Sequence, residues 1–255
     1  MVSKKVLIPL PSYGCDPSEV GIPSKLMTEV GFEIVFATPN GEKAATDKIM
    51  LTGEKLGIWK TVLPARKDAV DAYKNMENTD AFCRPIKYKD IREKEYDAIY
   101  LPGGHDKSVK EYLESKLLQQ SIVEFFGANK SIGAICHGVV LVARSKNPTS
   151  GKSVIYNYKT TSLLKSQELM GYAMTRLWLK DYYLTYPEIT VEEEVKSVLS
   201  DSSNFIYGPT PLLRDTPYKL NRGFCVRDQN YVSARWPGDL YKFSQTFIKM
   251  VQDRK

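Results

Sequence analysis

The segment Ser131–Leu141 contains the residues best suited to nucleophilic chemistry in this chain. Its apolar start, Ile132–Ile135, is typical of a fully buried strand, and its apolar end, Val139–Ala143, of a buried helix. Cys136 lies at the sharp turn between them, in the position of the nucleophile elbow of serine hydrolases. Because N–H groups at the start of a helix favour a thiolate over a thiol, Cys136 is predicted to be a nucleophile.

The alternative for Cys136 is a buried, unreactive thiol, since free cysteines usually pack as small apolar side chains. The elbow pattern and the adjacent His137 favour a catalytic role for Cys136 over this alternative. His105 and His137 are the two histidines of the chain, and each adjoins a candidate site segment. His137 is therefore a predicted site residue, whereas His105 could equally cap the helix that follows it.

Two other segments follow predicted strands and should reach the same edge of a sheet. Gly103–Gly104 follows the strand Tyr96–Leu101, and such a turn lets the backbone approach a ligand closely. Glu19 lies near the start of a helix that follows the first strand, Val6–Leu10. Ligands of parallel sheets bind outside the carboxyl ends of the strands, which groups these residues with the cysteine. Glu19 could equally be a solvated acid favoured by the helix dipole.

Strand and helix patterns alternate along the chain, which predicts an α/β fold with a mostly parallel sheet covered on both faces. Phe32–Ala37 is the predicted second strand, and Gly151–Tyr156 is a further candidate. A hairpin is predicted from Gly223–Arg227 and Tyr231–Ala234. The last helix should run from Trp236 to about Val251.

The first helix is predicted to begin after a cap at Asp16 or Ser18 and to end at Val30. Pro23 falls within this helix, and proline fits only in the first turn, where its missing N–H is not needed. The preceding segment, Pro11–Pro17, has the turn residues of a loop.

Residues 42–95 form a long polar excursion with helices predicted at Leu56–Val62 and Ala69–Met76. Such an excursion usually covers a site or forms a subunit contact, so we expect an insertion or lid here. A longer helix is predicted over Ser162–Lys180, with the apolar face Leu163, Leu164, Leu169, Met170, Ala173, Met174 and Leu177. The aromatic loop Asp181–Thr190 follows and should help to cover the site.

The bulk composition, with 42% hydrophobic and 26% charged residues, is typical of a soluble globular protein, and 255 residues suit one large α/β domain or two small ones. No apolar run reaches the ~18 residues of a membrane span, and no signal peptide is recognisable. The net charge of +6 is dispersed, so no nucleic-acid partner is predicted. The chain has four cysteines, Cys15, Cys83, Cys136 and Cys225, which are too widely spaced for a metal site or a disulfide framework. This spacing predicts that the protein works in a reducing cytoplasm. Cys15 and Cys225 are expected to be structural, and Cys83 to be an exposed thiol.

Three motifs together resemble the DJ-1/PfpI family of the class I glutamine amidotransferase-like superfamily. They are Ala134–Gly138, Leu101–His105, and Glu19 four residues before Pro23. The Gly-Gly-His version is most similar to the Hsp31-like branch, which includes glutathione-independent glyoxalases (glyoxalase III). Two later segments also resemble a bacterial amidotransferase-like subgroup: Tyr158–Thr161 and Tyr231–Asp239. The resemblance implies a flavodoxin-like, doubly wound fold, a single domain over residues 1–255 and a homodimer.

The resemblance also implies a role for each motif residue. Cys136 would be the nucleophile, Glu19 an acid hydrogen-bonded to its sulfur, and His137 the general base. The N–H groups of Gly104 and His137 would form an oxyanion hole. The Gly-Gly-His segment would bind the substrate or its oxyanion: Gly103, Gly104 and His105. Neither a metal nor an organic cofactor is implied.

One departure concerns the acid that orients the histidine in Hsp31-like members. The corresponding segment here is Lys159–Ser162, which has no carboxylate. Glu168 is nearby in sequence, but the sequence does not show whether it reaches His137. The alternative is that an acid from a second subunit orients the histidine. Glutaminases of the superfamily need a histidine with a glutamate late in the chain. Since this chain has no histidine after His137, glutaminase activity is not predicted.

The leading functional hypothesis is a cysteine-dependent enzyme, similar to glyoxalase III or a deglycase, that acts on small reactive carbonyl compounds. Two alternatives use the same thiol. One is a redox-sensing stress protein or chaperone without turnover, in which the cysteine is oxidised. The other is a cysteine hydrolase of acyl or peptide substrates.

Overall fold

The computed structural model describes residues 3–254 of the chain. The strands of this part are β1 (Lys5–Pro9), β2 (Tyr13–Cys15), β3 (Glu33–Thr38), β4 (Ala45–Thr46), β5 (Ile86–Lys87), β6 (Ala98–Leu101), β7 (Ser131–Ile135), β8 (Cys225–Asp228) and β9 (Tyr231–Ala234). Its α-helices are α1 (Pro17–Glu29), α2 (Lys48–Thr52), α3 (Lys67–Met76), α4 (Asp80–Cys83), α5 (Lys110–Leu113), α6 (Lys116–Gly127), α7 (Gly138–Arg144), α8 (Lys165–Leu179), α9 (Val191–Ser197) and α10 (Leu240–Gln252). No helix in residues 3–254 combines the length and the apolar character of a membrane span.

A seven-stranded sheet in the order β5-β3-β1-β6-β7-β9-β8 forms the centre of the fold. All neighbouring strands in it are parallel except the β8–β9 hairpin, which is antiparallel as predicted. Helices α1, α3 and α10 pack together, and α5, α6 and α7 form a second group. The predicted α/β, flavodoxin-like fold with a mostly parallel sheet is therefore confirmed.

The centre of the sheet brings the candidate residues to one edge. Strand β7 is buried along its whole length between β6 and β9, and Leu101 at the end of β6 pairs with Ala134. Because β1, β6 and β7 run in the same direction, the segments after all three strands leave at their shared carboxyl edge. Those segments contain Glu19, the Gly103–Gly104 turn and Cys136.

The expectation for Pro23 is wrong, because it lies in the middle of α1 rather than in its first turn. A proline there cannot donate to the carbonyl oxygen of Glu19, four residues earlier. The Tyr100 hydroxyl of β6 donates to that oxygen instead, at 2.5 Å. A hydrogen bond between elements thus replaces the missing helical one, and it fixes the turn of α1 that holds Glu19 against the sheet. Asp16 caps the helix by accepting from the N–H groups of Ser18 and Glu19.

Two local predictions fail because the chain turns instead. Leu56–Val62 contains only one 3-10 turn, Gly57–Trp59, which begins at a glycine with a φ of 54° that no regular helix adopts. Gly151–Tyr156 forms no strand beyond an isolated bridge at Ser153, because most of its N–H groups bond within turns, as Gly151 N–H does to the Asn147 carbonyl oxygen and Tyr156 N–H to that of Ser153. The segment Pro11–Pro17, predicted as a loop, contains the short strand β2, which pairs with β4.

The predicted apolar face of α8 is also wrong. Leu169, Met170 and Leu177 are exposed, whereas the small residues Gly171 and Thr175 are buried. The reason lies in the aromatic loop, since a Cβ on Gly171 would lie only 2.8 Å from the ring of Tyr183. Gly171 therefore faces the loop, and several large apolar side chains of α8 face outward.

The excursion over residues 42–95 contributes to the main body of the fold. It contains β4, α2, α3, α4 and β5; β5 pairs with β3 and forms one edge of the sheet, and α3 packs against α1. Its role as a lid, and the single domain over residues 1–255, stay predictions. Residues 1, 2 and 255 lie outside the part of the chain that the structure describes.

Candidate active site

Cys136 lies at the tip of the turn between β7 and α7, with a φ of 56°. This left-handed conformation is strained for a residue with a side chain, as expected at an elbow. The turn requires glycine two residues later, because a Cβ on Gly138 would lie 2.2 Å from the Leu101 carbonyl oxygen. The sulfur-bearing side chain points into the protein, and only 1% of Cys136 is exposed.

The predicted thiolate is wrong for this closed arrangement. Burial raises the pKa of the Cys136 thiol well above its usual value, and the nearby carboxyl groups of Glu19 and Asp16 raise it further. The hydrogen bond from the His137 N–H to the sulfur opposes that shift with a smaller effect. Helix α7 is short, so its dipole does not compensate for the loss of water. The resting side chain is therefore a neutral thiol.

Glu19 is completely buried beside this thiol. Its Oε2 atom accepts a 2.7 Å hydrogen bond from the Gly103 N–H, and its Oε1 atom has no partner in the described chain. Burial raises the pKa of Glu19 well above its usual value, and the hydrogen bond from the Gly103 N–H lowers it by less. A neutral carboxylic acid results, which can donate a proton where a carboxylate could only accept one.

His137 connects the thiol to a group that sequence reasoning missed. Its Nδ1 atom lies 3.4 Å from the Cys136 sulfur, and its Nε2 atom lies 3.0 Å from the Thr185 hydroxyl oxygen. The same hydroxyl group lies 2.9 Å from the backbone carbonyl oxygen of His105, to which it donates.

These contacts fix where the imidazole proton lies. A carbonyl oxygen can only accept, so the Thr185 hydroxyl gives its proton to His105, and its oxygen must accept from His137 Nε2–H. The Nδ1 atom of a neutral ring is then unprotonated and faces the thiol. Because burial lowers the pKa of His137 well below its usual value, the ring is neutral. The resting pair is thus a thiol beside an available base.

No carboxylate in residues 3–254 orients this ring. Glu168 is buried but accepts a 2.9 Å hydrogen bond from the Val191 N–H. In the segment where an acid was missing, Thr160 hydrogen-bonds Ser233. The hydroxyl group of Thr185, in the aromatic loop, orients the His137 ring instead. Nothing in the spacing of the loop residues marks Thr185 as a site residue in the sequence.

The three residues of the Gly-Gly-His segment make different contacts. The Gly103 N–H is already bonded to Glu19, and a Cβ on Gly103 would lie 2.6 Å from the His137 nitrogen. The Gly104 N–H has no acceptor within residues 3–254, so it is available to an oxyanion. His105 does not cap the following turn; Asp106 does, by accepting from the Ser108 N–H.

The His105 ring instead forms part of an aromatic roof over the site. It packs edge-on to His137, with 5.1 Å between ring centroids, and lies 4.9 Å from the ring of Tyr183. Tyr182 completes the roof, and its hydroxyl donates to Asp47, which caps α2. Burial lowers the pKa of His105 to about 4, so this ring is also neutral.

A cavity of about 360 Å³ lies on the other side of this roof. His105 and Tyr183 line it, as does Asp16, whose N–H donates to the Gly103 carbonyl oxygen. Cys136 does not line it. The chemical centre and the cavity are therefore neighbours separated by the aromatic rings. Residues 3–254 contain no cluster of three or more side chains suited to holding a metal ion.

The other cysteines differ in accessibility. Cys15 is buried, Cys225 is partly buried and Cys83 is exposed on α4. The prediction of an exposed Cys83 thiol is confirmed.

Comparison with protein families supports the motif assignment. The family model described as ThiJ/PfpI family-like matches residues 10–209. A glutathione-independent glyoxalase of Schizosaccharomyces pombe is 32% identical over 158 residues, which are 60% of this chain and 62% of the relative. Glyoxalase 3 of Candida albicans is 23% identical over 205 residues, which are 74% of this chain and 80% of the relative. The chain thus matches less than two thirds of the first relative's length.

Solved structures share the fold over almost the whole chain. Glyoxalase III of Candida albicans has a TM-score of 0.70 at 19% identity, covering 97% of each chain. DJ-1beta of Drosophila melanogaster has a TM-score of 0.57 at 15% identity, covering 99% of this chain and 95% of that one. At these identities the similarity establishes the architecture alone.

Proposed function

Because the chain belongs to the DJ-1/PfpI family, we propose that it is a cysteine-dependent enzyme that converts small 2-oxoaldehydes to 2-hydroxy acids without glutathione. Glyoxalases among its relatives support this reaction class. The match spans only part of the Schizosaccharomyces pombe relative, so the activity of the whole protein belongs to the proposal.

The observation that carries the proposal is the position of the His137 Nδ1 atom, 3.4 Å from the Cys136 sulfur. With the ring proton on Nε2, this nitrogen can take the thiol proton at the moment of attack. The nucleophile then does not need to be a thiolate at rest. A neutral thiol–imidazole pair in a dry site becomes an ion pair only while substrate charge develops beside it.

In the first step the thiol proton moves to Nδ1 and the sulfur bonds to the aldehyde carbon. The carbonyl oxygen receives the electron pair of the broken π bond, and the N–H groups of Gly104 and His137 are the available donors to it. Protonation of that oxygen by the Glu19 carboxylic acid gives a neutral hemithioacetal and leaves a carboxylate. No charge then remains on the adduct.

In the second step a proton leaves the carbon attached to sulfur and, through an enediol, a proton is added at the neighbouring carbon. The first carbon is oxidised to a thioester and the second is reduced to an alcohol, so no external oxidant is required. His137 and Glu19 are the groups placed to carry these protons. Water then cleaves the carbon–sulfur bond, which releases the 2-hydroxy acid and restores the thiol.

Burial of the sulfur argues against the two alternatives. Oxidation of a sensor cysteine requires an accessible thiol with thiolate character, whereas Cys136 is 1% exposed with a raised pKa. A peptide hydrolase needs an open cleft, whereas Cys136 is buried and the His105 ring packs on His137 beside it. Small carbonyl compounds match a closed site better. The homodimer and the cytoplasmic setting remain predictions.

The direct test is lactate formation from methylglyoxal by the purified chain without glutathione. We expect Cys136→Ala to abolish turnover and Cys83→Ala, which removes an exposed thiol outside the site, to leave it unchanged. Retained activity in Cys136→Ala would refute the mechanism. Absence of turnover in the unmodified chain, assayed with a series of 2-oxoaldehydes, would refute the proposed function itself.

A further inference from the structure

The cavity behind the aromatic roof is larger than a three-carbon substrate requires. It encloses about 360 Å³, and its floor includes His105, which packs against His137. Its walls and rim are mainly apolar, formed by side chains such as Leu163, Met174 and the exposed Leu212. A ligand that fills it would therefore carry an apolar body.

Several buried polar atoms around this cavity have no hydrogen-bond partner in the described chain. They are the Tyr183 hydroxyl, the Trp236 indole N–H, the His105 Nδ1 atom and the Gln167 Oε1 atom. Tyr183 is only 5% exposed, so bulk water does not satisfy it. Polar groups left unpaired in a protein interior are costly, and these four residues all line one cavity, which points to a ligand that could pair with them once their side chains turn toward it.

Arg214 is the second, independent sign of a ligand. Its guanidinium lines the cavity and contacts the backbone carbonyl oxygen of Leu63 at 3.1 Å, but it forms no salt bridge with a carboxylate of residues 3–254. Removal from water lowers the pKa of Arg214, which reflects the cost of burying this charge. A ligand anion beside it would offset that cost.

The charge around the cavity limits which anion fits. Arg66 joins Arg214 in the lining, and Asp16 is the one carboxylate there. Asp16 is occupied as the cap of α1 and His105 is neutral, so two guanidinium groups outnumber the one carboxylate of the lining, and Asp68 is a further carboxylate close enough to attract Arg214. A monoanion matches this small excess of guanidinium groups in the lining, whereas a phosphate monoester would carry too much charge.

We propose that this cavity binds the carboxylate and the apolar chain of a larger carbonyl substrate, whose aldehyde end faces His105 and Cys136. The substrate class is then a carboxylated 2-oxoaldehyde, with methylglyoxal as its smallest neutral analogue. This assignment rests on the proposed function for the reacting end of the substrate. His105 and Tyr183 line the cavity and the His105 ring packs on His137, so in this proposal the carbonyl reaches Cys136 when the His105 ring turns aside.

The binding half of the proposal is tested without turnover. Phenylacetate and its neutral isostere phenylacetamide are titrated calorimetrically into the Cys136→Ser chain, with Trp236 fluorescence as a second readout. We expect phenylacetate to bind at least 10-fold more tightly, because a guanidinium–carboxylate pair forms only with the acid. Arg214→Met and Arg214→Gln should both abolish this preference. The glutamine can still donate a hydrogen bond to the Leu63 carbonyl oxygen, so this variant separates the loss of charge from the loss of that packing contact.

Arg176→Met is the matched control, since Arg176 is an exposed arginine of α8 outside the cavity lining. It should retain the preference for the acid. Equal affinity for acid and amide, or equal losses in the Arg214 and Arg176 variants, would overturn the proposal. Tighter binding of phenyl phosphate than of phenylacetate would overturn the assignment to a monocarboxylate.

The catalytic half compares kcat/KM for 5,6-dioxohexanoate with that for its neutral amide. We expect a ratio of at least 10 in the unmodified chain, falling at least 10-fold in Arg214→Met. Turnover without this preference would refute the carboxylate subsite and leave the proposed function intact. Phenylacetate binding without turnover of any 2-oxoaldehyde would refute the proposed function, and with it the substrate class, while supporting the anion site.

Discussion

Two neighbouring regions of this protein handle buried polar groups in opposite ways. Around Cys136, the thiol, the His137 ring and the Thr185 hydroxyl form one chain of contacts that ends on a backbone carbonyl, and Glu19 Oε1 is the polar atom there without a partner in the described chain. Around the cavity, the Tyr183 hydroxyl has no partner in the described chain, and Arg214 contacts backbone carbonyl oxygens but forms no salt bridge with a described carboxylate. One layer of aromatic rings separates the two regions.

The difference indicates what each region is built to do. Where polar atoms are paired with each other, the pairing fixes protonation states, and the region is prepared for proton transfer before a substrate arrives. Where polar atoms are unpaired, the missing partner defines the ligand. The region around Cys136 therefore indicates the type of reaction, and the cavity indicates the shape and charge of the substrate.

The largest effect expected from this contrast is in thiol reactivity. With limiting iodoacetamide at neutral pH, Cys83 should be alkylated about 100-fold faster than Cys136, because Cys136 is buried and its pKa is raised. Peptide mass spectrometry over time measures both rates in one sample. Faster alkylation of Cys136 would mean that the sulfur is open and acidic, which would favour the redox-sensor alternative.

The next effect concerns the hydroxyl that orients the imidazole. Thr185→Val keeps the shape of the side chain and removes the acceptor for His137 Nε2–H, so kcat for methylglyoxal should fall about 10-fold. The pH–rate profile should also shift, which a purely structural role would not cause. Thr185→Ser restores the hydroxyl and should recover most of the activity. If Thr185→Val has the wild-type kcat and an unchanged pH–rate profile, Thr185 does not orient His137 for catalysis.

A third effect, on stability rather than on rate, concerns the hydrogen bond between Tyr182 of the roof and Asp47. Burial raises the pKa of Asp47 from 3.8 to about 6. The folded state therefore binds this proton more tightly than the unfolded state, so the stability contributed by Asp47 falls as the pH rises from about 4 to about 6. Urea unfolding should show the unmodified chain losing about 2 kcal/mol relative to Asp47→Asn across this window. A difference that is constant with pH would contradict the raised pKa.

Much of the fold was predictable from the sequence because the pattern that specifies it is local. Buried apolar runs such as Ile132–Ile135 identify the strands, and the rule for parallel sheets then gathers Glu19, Gly103 and Cys136 at one edge. The family model matching residues 10–209 agrees with the motifs that suggested the family.

The failures share a different cause, which is contact between segments distant in sequence. Pro23 fits within α1 because Tyr100 supplies the missing hydrogen bond, and Thr185 reaches a ring 48 positions away. The predicted thiolate failed because helix position can be read from sequence whereas burial cannot. The predicted apolar face of α8 failed similarly, since Tyr183 packs on Gly171 and leaves Leu169 and Leu177 of the predicted face exposed.

The central claim is that the Nδ1 atom of His137 is an unprotonated base beside a neutral thiol. Long-range nitrogen–proton NMR correlation of ¹⁵N-histidine-labelled protein at pH 7 tests this directly, and His105→Asn assigns the two rings. The account predicts a neutral His137 ring with its proton on Nε2. A proton on Nδ1, or a doubly protonated ring beside a Cys136 thiolate, would contradict it.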